Sequence, residues 1–151
     1  MKLIRDALIA AATCLSASAF AQTPAEARQF LDKALVHVKT VGLQKAAGDF
    51  NTDLDRWMVG PLFVVMIGFD GTSLANSSNP RTSGRNIMEM KDADGKQFVR
   101  ESISRTSKSD DVISVEFKWV NPASKQLEQR VALVRRVPGE SAYVGSGYFK
   151  H

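Results

Sequence analysis

Apolar residues Ala27, Phe30, Leu31, Ala34, Leu35, Val38 and Val41 recur at three- and four-residue spacing, which is one stripe of an amphipathic helix. The helix has a clear start. Thr23 can cap it, Pro24 suits its first position, and Glu26 completes a capping box with Thr23. Gly42 and Gly48 weaken its far end, so the helix over 24–48 is expected to end or bend there. Beyond the polar stretch Asp49 to Asp55 and Gly60-Pro61, the run Leu62 to Phe69 is β-branched and aromatic. It predicts a strand buried on both faces, turning at Asp70-Gly71 into a short strand from Thr72 to Asn76. Ser77 to Asn86, rich in Ser, Asn, Pro and Gly, reads as loop. A second helix is expected with Asp94 as its cap, Gln97 closing a capping box, and Phe98, Val99 and Ile103 on its apolar face. Three strands follow over 112–120, 127–137 and 142–149, with Gly139 in the last turn. The order of long helix, hairpin, helix and three-stranded meander predicts an α+β fold, an antiparallel sheet with helices packed on it.

The first segment stands apart from this pattern. Lys2 and Arg5 precede the apolar run Ala7 to Leu15, and Ala19-Phe20-Ala21 offers small residues where a signal peptidase reads. Residues 1–21 therefore read as a secretory signal peptide cleaved after Ala21, and 22–151 as the exported domain, periplasmic or secreted. The run is too short and too broken by Ser and Thr to span a bilayer permanently. A lipid attachment at Cys14 is disfavoured by Thr13 before it. With the leader goes the only cysteine, so disulfides, thiol nucleophiles and thiolate metal ligands are excluded from the domain. About 130 residues remain, enough to bury a core without disulfides.

Composition then narrows the chemistry. The 151 residues are 44% hydrophobic and 24% charged, with a net charge of +4 that falls by one when the leader is removed. That excess is too small to argue for nucleic acid, and no aromatic interleaving accompanies the single basic pair Arg135-Arg136. The domain holds two histidines, His37 beside the first helix stripe and His151 at the end, and neither lies in a catalytic or metal motif. Asp92-Ala93-Asp94-Gly95 looks like the start of a calcium loop, but Ser104, not Glu, falls near the twelfth position. A turn and helix cap account for it. Gly145-Ser146-Gly147 lies inside a strand pattern with no following helix, so its small residues are read as letting a neighbouring backbone approach.

One constellation remains. Alternation puts Val115, Phe117 and Trp119 on one face of a strand, and Arg130, Ala132 and Val134 on one face of the next. Two aromatic rings beside an arginine suit a small carboxylate, since rings exclude water and a guanidinium supplies paired donors. The plainer reading, core rings with a solvated Arg130, fits the same pattern and is the one the residues alone favour. Alternation alone leaves both open.

The segments Phe69-Asp70-Gly71-Thr72-Ser73-Leu74-Ala75-Asn76, Asn79-Pro80, Gly84-Arg85-Asn86-Ile87, Lys91 to Lys96, Phe98-Val99, Trp119-Val120-Asn121-Pro122 and Gly145-Ser146-Gly147-Tyr148 fall in one order. That series resembles the single Cache domain, an extracytoplasmic sensor module, here in a stand-alone exported form. The resemblance implies a PAS-like antiparallel sheet of about five strands, a long N-terminal helix and a second helix, around a pocket for small ligands. It implies a ligand site with Arg130 pairing the carboxylate of a small organic anion, Phe69, Phe117 and Trp119 walling it, and Asn76 offering an amide. Trp57 and Arg100 are further candidates for closing it. Family members often carry His-Pro where this chain has Asn76-Ser77, and Tyr where it has Phe69, Phe117 and Leu133, so polar holds on a ligand are fewer. The expected function is ligand sensing without enzymatic activity, catalytic residues, metal or cofactor. The alternative is an adaptor with a degenerate pocket, docking on a membrane kinase or transporter or pairing with a second copy through the helix over 24–48. No nucleic-acid partner is expected.

Overall fold

The computed structural model describes residues 22–151, so the signal-peptide expectation lies outside the described residues. Helix α1 (Pro24–Val41) opens with the expected capping box: the Glu26 N–H donates to Thr23 Oγ1 at 3.1 Å, and the Thr23 N–H donates to Glu26 Oε2 at 2.7 Å. The helix ends at Gly42, whose φ of 86° lies in the region open mainly to glycine. It resumes as α2 (Leu43–Thr52) and a single turn α3 (Leu54–Trp57). The expected end or bend therefore falls at Gly42 alone. Gly48 sits inside α2 with open space around the place its Cβ would occupy. Gly48→Ala is accordingly expected to stabilise the protein by about 0.5–1 kcal/mol, read from urea midpoints.

The single strand expected over 62–69 is divided. Strand β1 (Met58–Val59) pairs with β2 (Leu62–Phe63), and after Val64 the chain enters the main sheet as β3 (Val65–Gly68). Ser77 makes the break: its hydroxyl accepts from the Val64 N–H at 2.9 Å and donates to the Trp57 carbonyl at 2.7 Å. Strands β4 (Ser73–Asn76), β5 (Ile113–Val120), β6 (Leu127–Arg136) and β7 (Ala142–Phe149) complete a five-stranded antiparallel sheet of order β4-β3-β7-β6-β5. One face carries α1 and α2 over Leu31, Phe50, Trp57, Met66, Leu133 and Val144. The other packs under α4 (Phe98–Thr106) around Ile67, Val99, Val115, Phe117, Val134 and Tyr143. The expected architecture of sheet, long first helix and second helix is present. The outward side of α1 shows Arg28, Gln29, Asp32, Lys33 and Lys39, with Val36, 63% exposed, as its large apolar residue.

The start of α4 departs from expectation. Asp94 does not cap it; the helix begins at Phe98 with no side-chain cap. Asp92 is the organiser instead. Its Oδ1 accepts the Asp94 and Lys96 N–H groups at 2.9 and 2.8 Å, and its Oδ2 accepts the Lys118 N–H at 2.9 Å. Lys96 Nζ donates to the Glu116 carbonyl and Arg105 Nη1 to the Ser114 carbonyl. Side chains thus occupy the free edge of β5, which would otherwise offer a template for strand addition. The Lys118 N–H above all holds the Asp92 carboxyl below its usual 3.8; desolvation, the next largest effect, opposes it, and the Lys96 and Asp94 N–H groups help. A folded value below the unfolded one means this contribution is present above about pH 4 and lost as pH falls through the folded value. Asp92→Asn is expected to lower stability at neutral pH and to flatten the acid limb of a stability–pH profile measured by urea unfolding.

Candidate functional site

The α4-side face of the sheet does not close completely. Between the sheet, α4 and the loops around Ser78–Met90 and Pro122–Lys125 lies a cavity of about 540 Å³. Strand alternation determines what enters it. On β6, Arg130, Ala132 and Val134 face the cavity, opposite Phe117, Val115 and Ile113 of β5 and beside Phe149, Gly147 and Gly145 of β7.

Gly147 is what lets Arg130 reach inward. A Cβ there would lie 3.1 Å from Arg130 Nη2 and 2.3 Å from the Val131 carbonyl oxygen. With no side chain in the way, the guanidinium crosses β7 and its Cζ rests 4.0 Å from the centre of the Phe63 ring and 5.0 Å from that of Phe149. Arg130 is only 2% exposed. Its Nη1 has no hydrogen-bond partner, no acidic residue pairs with it among the described residues, and none lines the cavity. Burial lowers its pKa to about 9, which leaves it charged at neutral pH. A buried cation without a counter-ion is costly, and the two ring faces offset only part of that. The arrangement leaves a buried positive charge without a counter-ion on the cavity wall. The other cation on the wall, Lys125, is exposed at the β5–β6 turn with a φ of 62°.

The remaining sequence-derived candidates divide into two groups. Phe117 and Trp119 line the cavity: Phe117 stacks on Phe98 at 4.0 Å with planes 7° apart, and Trp119 stands edge-on to both. Asn76 lines it too, in a fixed orientation. Its Oδ1 accepts from the Ser78 N–H, the Ser78 hydroxyl and the Asn79 N–H, while its Nδ2 donates to nothing among the described residues. The amide thus presents donors, which suits an anion.

Three candidates lie elsewhere. Trp57 is fully buried on the opposite face of the sheet, against Phe30, Phe50 and His37, because α3 belongs to the helix-side core. His37 there bonds Asp49 Oδ2 through Nε2 at 2.8 Å. Arg100 is on the outward side of α4 and pairs with Glu89 at the surface. Phe69 follows the end of β3 at the Asp70-Gly71 turn, off the cavity wall, with the Arg136 guanidinium 5.6 Å from its ring. Leu133, one of the positions where relatives often have Tyr, packs in the helix-side core, so that change removes nothing from the cavity.

Sequence reasoning passed over Phe98, Lys125 and the Ser102–Tyr143 pair. Tyr143 is buried; desolvation pushes its phenol well above the usual range, against a smaller opposing effect of a hydrogen bond with Ser102, so the phenol stays neutral. The signal for the site was nonetheless present. Gly145 and Gly147 alternate on one face of β7, and Gly147 is the cross-strand partner of Ala132, two residues from Arg130.

Comparison with known families decides what this arrangement belongs to. The model for Single Cache domain 2 matches residues 57–150, all seven strands and α4 included. The protein belongs to the single Cache domain family. No curated protein matches the chain significantly. Among solved structures, a methyl-accepting chemotaxis protein of Vibrio parahaemolyticus is similar over 83% of this chain and 86% of its own, with 14% identity and a TM-score of 0.68. A periplasmic sensor domain of a chemotaxis protein covers 83% and 88% at 16% identity and a TM-score of 0.61. A Cache chemosensory domain solved for its carboxylic acid recognition covers 83% and 86% at 15% identity and a TM-score of 0.61. Identities this low carry the fold and leave ligands to be argued from the side chains. In this Cache domain Phe117, Trp119, Arg130 and Gly147 all lie within the matched segment.

Proposed function

We propose that this Cache domain is an exported, non-enzymatic sensor that binds a small organic anion, with its carboxylate held by Arg130. The observation that carries the reading is a 2%-exposed guanidinium, with Nη1 unpartnered and no acidic residue near, on the wall of a cavity that itself holds no acidic residue. A carboxylate there gains charge-assisted hydrogen bonds and relieves the buried charge. Asn76 Nδ2 adds a donor, and Phe117 and Trp119 shield the pair from water. Lys125 at the rim adds positive potential that draws anions toward the opening. Carboxylic acid recognition by a similarly folded Cache chemosensory domain lends support. The Lys2–Ala21 leader and the periplasmic location of a structural relative support export.

A thermal-shift screen of the purified protein against carboxylates, amino acids and polyamines tests the reading. Carboxylates are expected to raise the melting temperature, by an amount equivalent to about 2.7 kcal/mol at a hundred times the dissociation constant. Polyamines are expected to leave it unchanged. Stabilisation by polyamines alone, or by nothing, would overturn the proposal.

A further inference from the structure

The cavity says more about its ligand than the sign of its charge. Resting on the carboxylate reading of Arg130, we propose that the ligand is a monocarboxylate with an apolar body of roughly six to nine carbons, aliphatic or aromatic, rather than a short, hydroxylated or amino acid.

Size is the first reason. A cavity of about 540 Å³ falls within the range of roughly 300–1,000 Å³ that larger organic ligands occupy. A two- or three-carbon acid paired with Arg130 would leave most of it to water against apolar walls.

The walls are the second reason. Val65, Ile67, Phe98, Phe117, Ala132 and Val134 surround the space beyond the guanidinium. None of these can hydrogen-bond a polar substituent.

The third reason is that the small hydroxyls of Ser73, Ser78, Thr82 and Ser102 on the wall are already committed. The Ser102 hydroxyl donates to the Phe98 carbonyl at 2.7 Å. Those of Ser73 and Thr82 bond each other at 3.3 Å, and Thr82 also donates to the Asn79 carbonyl at 3.0 Å. Ser78 donates to Asn76 Oδ1 at 2.8 Å. A hydroxyl or keto group on the ligand body would enter with few partners, which costs free energy in a desolvated site. An ammonium would fare worse, because no Asp or Glu lines the cavity to pair with it. Polar groups left for a ligand are the Arg130 guanidinium, Asn76 Nδ2 and the buried Tyr143 phenol, with Asn79 and Lys125 on the exposed loops.

Calorimetric titration of the purified protein with acetate, butanoate, hexanoate, octanoate and 3-phenylpropanoate provides the test. Each added methylene is expected to tighten binding by about fourfold until the cavity is filled, placing octanoate at least about a hundredfold ahead of acetate. Relative affinities of octanoate and 3-phenylpropanoate distinguish a chain from a ring, and either one well ahead of acetate supports the proposal. 2-Aminooctanoate is expected to bind at least about tenfold more weakly than octanoate. Affinity that is flat with length, or highest for acetate, overturns the apolar-body proposal while the carboxylate reading stands. Octanol binding as tightly as octanoate overturns the carboxylate reading, and with it the monocarboxylate. Absence of binding by every acid overturns both.

Discussion

Replacing Arg130 with Met is expected to stabilise the ligand-free protein while abolishing its response to carboxylates. The two effects share one cause. In the free protein the guanidinium is buried, lacks an acidic partner, and has Nη1 unsatisfied. Exchanging such a charge for an apolar side chain of similar length commonly stabilises by about 1–4 kcal/mol. Loss of the contacts with the Phe63 and Phe149 rings takes back on the order of 1 kcal/mol, leaving a net gain of up to about 3 kcal/mol. The folded pKa of about 9 lies below the usual 12.5, so the native state sheds this proton before the unfolded chain does. The penalty is therefore in full force at every pH below about 9 and eases as pH rises above it. In the bound state the balance reverses. Truncating one partner of a buried charge pair costs about 2–5 kcal/mol, so carboxylate affinity is expected to fall on the order of a hundredfold or more. Urea unfolding without ligand, beside thermal shifts with octanoate, separates the two effects. A variant that lost stability and kept its ligand response would refute the assignment.

Gly147→Ala is expected to be the most damaging single-methyl change in the sheet. The new Cβ would lie 2.3 Å from the Val131 carbonyl oxygen and 3.0 Å from Ala132 Cα, both backbone atoms that cannot step aside without moving β6. It would also press on Arg130 Nη2 at 3.1 Å. Overpacking of this kind costs about 1–3 kcal/mol in an ordinary core, and the backbone clash puts this case at or above the upper end. Gly48→Ala, where the added methyl meets nothing, is the internal control with the opposite sign. Equal stability of Gly147→Ala and the wild type in urea would show that the close approach of β6 and β7 is not what the glycine serves.

The sequence made the elements legible where one signal spoke alone. The capping box at Thr23 and the heptad-like stripe to Val41 needed no tertiary help, and the three C-terminal strands followed from plain alternation. Misreadings arose where a tertiary partner overrode a local pattern. Asp94 has the spacing of a helix cap, yet Asp92 organises that turn because it also ties down the Lys118 N–H across 26 positions. The run from Leu62 to Phe69 looks continuous, but Ser77 draws Val64 out of line. For the site, alternation brought Phe117 and Arg130 together correctly as cross-strand partners. Trp57, a candidate for closing the pocket because it precedes the first strand, serves the other core instead, since no local pattern says which side of the sheet that turn covers. Nor could alternation choose between a solvated and a buried Arg130. That choice depends on the missing side chain of Gly147 one strand away.

The account stands on Arg130 holding a carboxylate, and NMR of its guanidinium hydrogens observes that contact directly. The Arg130 signals, identified by their absence in Arg130→Met, are followed while octanoate is added to the wild-type protein. Guanidinium hydrogens of Arg130 are expected to shift strongly downfield and become protected from solvent exchange as the acid saturates, as a new charge-assisted hydrogen bond requires. Saturating binding of octanoate that left those hydrogens unshifted would contradict the account, whatever the affinity.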